Sequence, residues 1–509
     1  MTPRKYIGWG VLALFVLGIG NFAVGNLQTR GSLGKVEKGG AEADTGVREL
    51  MARNVLFDAL QGGAAPKTRL NAIASLTASA KTGKNPESFT QLLQMLKDPD
   101  TEMIQEKTHP VRDAATAAVA SVGTLYPDLL LDAAKNADGA IRDQSRAALT
   151  TIGAPLQTQM AARLEDAALR SPVGGILAGI GADTVGLVTP YLSPEALAKF
   201  KDKPDDLVAA KLQLIEIMGK YTVTDAATAV LPFENDPEPN VRRAVITALA
   251  NIADPVGEPV LRKALANPET DASSRAAAAA TLGAFGTVPA NDAMVTALGD
   301  FDLAVADAAA TGLGRAIKTN EATARVAIER ALASPDAAVR ARAASATAAM
   351  TNPDLAKQAL ADTDAEVRMA GATALGAILT RRGVGAIMPA DAAPLIAALR
   401  DSTGAVAAAA QQALVSVGAP VVPAVAALLS DPQDTTAYYA VRTLSAIGAP
   451  SLPVLLTTAQ AGKPGARWAA VTLGEIGDVS ATPVLESLKN APDAATAEAA
   501  TDALAKIGG

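Results

Sequence analysis

The 509-residue chain has no cysteine and a single histidine. The first absence excludes disulfides, thiol catalysis and cysteine metal sites. It suits an oxidising compartment without requiring one. The second excludes every metal motif built on a histidine pair. A Ser-His-Asp arrangement would have to use His109, and no Gly-x-Ser-x-Gly elbow accompanies it. Phosphate-binding glycine loops are missing too: Gly83-Lys84, Gly219-Lys220 and Gly462-Lys463 lack the upstream glycine of that motif. Aromatic residues make up only 3% of the chain, so any core is built from small aliphatic side chains. These absences lead us to expect a non-enzymatic protein with no cofactor and no metal.

What is present is a repeated phrase. It reads Ala-Leu-Thr-Thr-Ile-Gly at 148–153, Thr-Leu-Ser-Ala-Ile-Gly at 443–448, Thr-Leu-Gly-Glu-Ile-Gly at 472–477 and Ala-Leu-Ala-Lys-Ile-Gly at 503–508. The leucine slot recurs at Val119, Leu149, Leu177, Ile215, Leu249, Leu282, Leu313, Thr347, Leu375, Leu414, Leu444, Leu473 and Leu504, in steps of 28 to 39 residues. Leu76 marks a degenerate earlier copy. A fixed period of this size means stacked supersecondary units.

Each copy has the grammar of two antiparallel helices. Asp236-Pro237 opens one, and Val241, Val245, Ala248, Leu249 and Ile252 then form a single apolar helical face. Glycine closes the helix, since its C-terminus favours a residue free to adopt positive φ. After Gly153, Gly418 and Gly448 comes Ala-Pro, which cannot continue it. A second apolar stretch follows. Strand-like alternation never persists.

This pattern is similar to the short bacterial form of the HEAT repeat, over residues 45 to 509. The marks are Val111-Arg112, Val241-Arg242, Val339-Arg340 and Val367-Arg368, the variant Ile141-Arg142, and the aspartates Asp138, Asp236, Asp336 and Asp364. The resemblance implies an all-α solenoid, or superhelix, of 13 to 14 helix pairs. It also implies an Asp–Arg ladder between successive repeats, broken near 275–317 and 405–418, where the pair is incomplete. Such proteins act as scaffolds for other proteins.

The net charge is −7, and residues 1–40 carry +4, which leaves −11 on the rest. An acidic body argues against nucleic acid as a partner. Residues 7–24 are uncharged. Three readings suit them: a cleaved signal peptide ending near Ala23-Val24-Gly25, an uncleaved anchor, or a buried helix of the fold. A Gly-rich linker at 26–44 separates them from the repeats, which favours a single-pass transmembrane signal anchor at 1–25. Its membrane contacts would be Tyr6, Trp9, Leu12, Leu14, Phe15, Leu17 and Phe22, with Tyr6 and Trp9 at the interface. The short basic N-tail, Arg4 and Lys5, places the repeats in the periplasm of a bacterial inner membrane.

The candidate partner-binding residues are aromatic and basic. Tyr439 and Trp468 each stand nine residues before the glycine of their repeat, so they should lie side by side on consecutive helices. Tyr438, Arg442 and Arg467 adjoin them, and Tyr, Trp and Arg dominate binding hot spots. The plainer alternative is that the two rings fill gaps in an alanine core. Insertions at 99–110, 196–210 and 380–393 are expected to emerge as surface loops. The functional expectation is a membrane-anchored scaffold that binds proteins, as an accessory subunit of a larger membrane complex. The alternative is an envelope protein that holds a ligand or polysaccharide on the aromatic ridge.

Overall fold

A computed structural model describes residues 65–98, 110–200, 202–383, 387, 389–460 and 463–508. The expected anchor, the linker and the first repeat residues lie outside these, as do His109 and residues 99–109. Among the described residues every element is helical. The chain divides into two compact units, Met1–Tyr191 and Leu192–Gly509. The division falls inside the 38-residue step between Leu177 and Ile215.

Among the described residues of the first unit, four repeats follow one another. They are α1 (Pro66–Ala80) with α2 (Pro86–Met95), α3 (Pro110–Val122) with α4 (Pro127–Ala133), α5 (Gly139–Ile152) with α6 (Gln157–Ala162), and α7 (Ala167–Ile180) with α8 (Val185–Val188). Leu76 on α1 is buried, so the degenerate copy is a true repeat. Each first helix packs against the first helix of the next repeat.

The second unit begins with the short α9 (Pro194–Leu197), followed by α10 (Pro204–Met218) with α11 (Thr224–Val230), α12 (Pro239–Ile252) with α13 (Glu258–Ala266), and α14 (Ala272–Phe285) with α15 (Val288–Ala297). Next, α16 (Leu303–Leu332) contains both helices of one repeat, joined at Asn320, whose φ of −152° is non-helical. Then come α17 (Ala337–Ala346) with α18 (Asp354–Leu360), α19 (Ala365–Arg382) with α20 (Pro389–Ala398), and α21 (Gly404–Val417) with α22 (Val422–Ala426). The last are α23 (Asp434–Ile447) with α24 (Leu452–Thr458), α25 (Ala466–Ile476) with α26 (Thr482–Leu488), and a final α27 (Ala494–Gly508). First helices again stack on first helices through the unit.

The apolar face anticipated on α12 is buried at all five positions. Fully burying one aliphatic side chain of this kind stabilises by about 2 kcal/mol. Thr347, the one polar residue in the leucine slot, is also fully buried. Its hydroxyl donates to the Ala344 carbonyl at 2.6 Å, which satisfies the group the apolar slot would otherwise strand. Glycine serves two purposes. Gly448 ends α23 with φ of 77°. Gly283 on α14 faces the Gly312 backbone of α16 so closely that a methyl group would collide with it. Small residues thus set how near the first helices can come.

Two expectations about insertions are corrected. Residues 196–210 are not a loop: α9 and a 3-10 turn at Ala198–Phe200 fill the first part and α10 the second. Pro194 and Pro204 each pre-set a helix start, and the Ser193 hydroxyl caps α9. In 380–393, α19 runs on to Arg382. Arg381 donates to the Met350 carbonyl and Arg382 to the Thr351 carbonyl and Asp391, so both are anchored to the fold.

Candidate interaction surface on the first helices

Counted from the leucine slot, the arginine of the Val-Arg mark stands seven residues earlier; Arg242 bonds to carbonyls of its own turn, while Arg340 and Arg368 tie repeats together. Arg340 donates two hydrogen bonds to the Asp362 carboxylate, both 2.9 Å, and another to the Ser334 carbonyl of its own turn. Arg368 does the same with Asp401, at 2.7 and 2.9 Å, and with the Asp362 carbonyl. Each carboxylate also accepts a backbone N–H two residues on, from Asp364 and Thr403. The guanidinium beside each holds Asp362 and Asp401 below the ordinary carboxylate range, burial opposing.

The ladder is therefore real, but its aspartates need correction. Asp138, Asp336 and Asp364 cap their own helices through backbone N–H groups. The inter-repeat partners of Arg340 and Arg368 are Asp362 and Asp401, each at the opening of a turn. Asp236 alone of the four marks bridges repeats, and its partner is Lys211, at 2.6 Å. The ladder also continues where a break was expected. Arg275, 2% exposed, binds Asp300 at 2.9 Å, and Arg400 reaches Asp431 from the preceding turn. Arg69, Arg170 and Arg275 occupy the same slot without a preceding valine or isoleucine, and the fixed offset from the leucine was the signal that would have found them.

The aromatic candidates lie on α23 and α25, which pack against each other. Thr443 donates to the Tyr439 carbonyl and Thr472 to the Trp468 carbonyl, each at 2.7 Å, so the two aromatics occupy equivalent positions. Both are half-buried against the core. Tyr438 is 48% exposed and meets Tyr439 edge-on, with ring centres 5.8 Å apart. Arg442 lies 5.8 Å from the Tyr438 ring centre, and Arg467 lies 4.7 Å from that of Trp468. The structure thus assembles two clusters, Tyr438–Tyr439–Arg442 and Arg467–Trp468, on consecutive first helices. The Tyr439 hydroxyl donates to the Gly404 carbonyl at 3.3 Å, fixing α23 against α21.

Beside these clusters is a feature the sequence did not reveal. A trough of about 830 Å³ runs over α17, α19 and α21. Its floor includes Ala341, Ala370, Ala405, Ala408 and Ala409, and its polar edges include Arg342, Glu366, Gln411 and Gln412. Met369, Ala408, Tyr438 and Arg467 share one repeat position, six before the leucine slot, so the trough and the clusters belong to one strip of the surface. In the first unit a smaller groove of about 410 Å³ lies over α5 and α7, between Arg146, Pro172 and Ile176. Among the described residues no group of His, Asp or Glu is placed to hold a metal ion. None of the described helices is by itself long and apolar enough to cross a membrane, though two bent pairs, 404–430 and 434–458, pass by length and composition.

The family model of HEAT repeats matches residues 421–505. That stretch contains both clusters but none of the Val-Arg marks on which the resemblance was read. Solved structures similar in fold include Kap121p, at 14% identity and a TM-score of 0.40 over 99% of this chain and 57% of that one. Others are importin beta, at 14%, 0.41, 89% and 72%, and Kap95p with RanGDP, at 11%, 0.43, 90% and 66%. The chain thus spans little more than half the length of Kap121p. No curated protein matches it in sequence.

Proposed function

We propose that this protein is a non-catalytic HEAT-repeat scaffold that binds other proteins, held at a bacterial inner membrane by residues 1–25 with its repeats in the periplasm, as an accessory subunit of a membrane complex. The observation that carries the scaffold reading is the strip of first-helix surface in the second unit. It offers Tyr, Trp and Arg beside an alanine-floored trough, the composition and relief of a protein-binding patch. A stable interface buries about 1,200–2,000 Å² in total, which a few repeats can supply. The membrane reading is supported by the uncharged run at 7–24 and the basic residues before it.

The polysaccharide alternative needs a ring face open to a sugar. Trp468 is packed on the core, with the Arg467 guanidinium over its ring, so Tyr438 is the ring best placed for that role. Affinity capture of the full chain from gently solubilised membranes tests the scaffold reading, which expects a stoichiometric protein partner. A monodisperse chain that retains none refutes it. Protease protection in spheroplasts tests the topology: repeats digested only after the outer envelope is opened fit the periplasm, and repeats shielded in intact spheroplasts refute it.

A further inference from the structure

We propose that the strip over α17–α25 receives an acidic segment of the partner, with its carboxylates on Arg442 and Arg467 and its apolar side chains along the alanine floor. This rests on the scaffold reading above.

The argument begins with which cations are occupied. Arg340, Arg368 and Arg400 have their guanidinium groups filled by carboxylates of the next turn. Arg442 and Arg467 are exposed, and among the described residues neither has a carboxylate within salt-bridge distance. Each lies instead against an aromatic ring of its own helix. Arg442 also donates to the Tyr438 hydroxyl at 3.4 Å. The acidic groups around them have other hydrogen-bond partners: Glu475 accepts from the Ser445 hydroxyl, and Asp493 accepts from Thr496, although the charge of Arg467 also reaches Asp493. A guanidinium held against a ring is partly oriented, and with five N–H donors it keeps others for a guest. Such a group matches a carboxylate in two parallel hydrogen bonds.

The trough gives the segment a direction. Glu366 stands on its α19 side, and Asp307 lies close to Arg342 at its α17 end. Glu366 repels a guest carboxylate, Arg342 is already paired with Asp307, and the exposed guanidinium groups lie on α23 and α25. The middle, over Ala405, Ala408 and Ala409, carries no charge and suits aliphatic side chains. Gln411 and Gln412 on the rim can hydrogen-bond to a guest backbone.

The test uses the full chain, wild type and R442E/R467E, against three immobilised synthetic peptides of equal length. In these, leucine alternates with glutamate, glutamine or lysine. The wild type should retain the glutamate peptide better than the other two by about tenfold, the effect of one charge-assisted contact. R442E/R467E should reverse that order toward lysine, and R442A/R467A should lose the preference without reversal. All three chains should keep the same far-UV spectrum and unfolding midpoint. Equal retention of the three peptides by the wild type overturns the inference. So does wild-type binding to a polysaccharide resin that is lost in Y438A. Capture from solubilised membranes, run in parallel, separates the two claims. A partner held equally by wild type and R442E/R467E overturns the acidic-segment inference and leaves the scaffold reading standing. No partner on either chain refutes the scaffold reading itself.

Discussion

Within the second unit, the repeats from α12 to α19 and those from α21 to α27 close their seams differently. In the first group the slot seven residues before the leucine holds Arg242, Arg275, Arg340 and Arg368, with Ala306 in α16 the exception, and three of the arginines grip an aspartate of the next turn. In the second group that slot holds Ala407, Ala437, Ala466 and Ala497. The first three of these alanines are buried and pack directly into the stack. An arginine there must be neutralised and hydrogen-bonded, since burying an unpaired charge is costly. An alanine needs no partner. Arginine in the second group sits elsewhere, on the surface at Arg442 and Arg467. One residue type thus holds repeats together in one region and faces outward in the other, according to its offset from the leucine.

That contrast predicts its largest effect at Arg275. Arg275→Ala should destabilise the protein by about 3–5 kcal/mol, because Asp300 and the Thr270 carbonyl lose their partner in a buried setting. A urea titration followed by circular dichroism measures it, and a loss below about 1 kcal/mol breaks the distinction between the two regions.

Next comes acid. Asp362 and Asp401 titrate below the ordinary carboxylate range when folded, chiefly through hydrogen bonds from Arg340 and Arg368. A depressed folded pKa means their contribution is complete above the unfolded pKa of about 4 and is lost as pH falls through the folded value. Asp271 behaves likewise down to about 2: burial opposes ionisation, but hydrogen bonds from Ser273 and Ser274 and the charge of Arg243 outweigh it. Amide exchange at decreasing pH should therefore open α17 and α19 before α25, whose seam has no arginine. Asp401→Asn should remove part of that acid sensitivity around α19. Simultaneous opening of all these helices would show that the arginine seams do not set the acid response.

Smaller effects are expected among the aromatics. Trp468→Ala should cost about 2 kcal/mol, less than a fully buried tryptophan because the ring is only partly buried against the core. Tyr438→Ala, at the exposed member of the pair, should cost less than about 0.5 kcal/mol. Thermal unfolding of the two variants checks the order, and an inverted order would place the core contact on the wrong ring. The smallest change belongs to Arg442→Ala, within about 0.5 kcal/mol of wild type, set against the several kcal/mol at Arg275.

Much of this architecture was legible because helical periodicity is local. The spacing of Val241, Val245 and Leu249 fixes which face of α12 is buried, whatever it packs against. The positive φ of Gly448 follows from the need to end α23 before Ala449-Pro450. The candidate cluster was legible in part: register alone placed Tyr439 and Trp468 at equivalent positions. It gave no means to tell that Tyr438 faces outward while its neighbour is tucked against the core.

The sequence by itself determined the helices, their ends and their period, since each depends on residues within a turn or two along the chain. The tertiary structure decided which aspartate each arginine grips, because Asp362 and Asp364 differ by two residues and only packing of one repeat on the next brings one of them within reach. It also decided that alanines scattered from Ala341 to Ala409 line one trough beside Tyr438 and Arg442. Residues about thirty apart become neighbours only when successive first helices lie side by side, at a separation set by small side chains packing at close range.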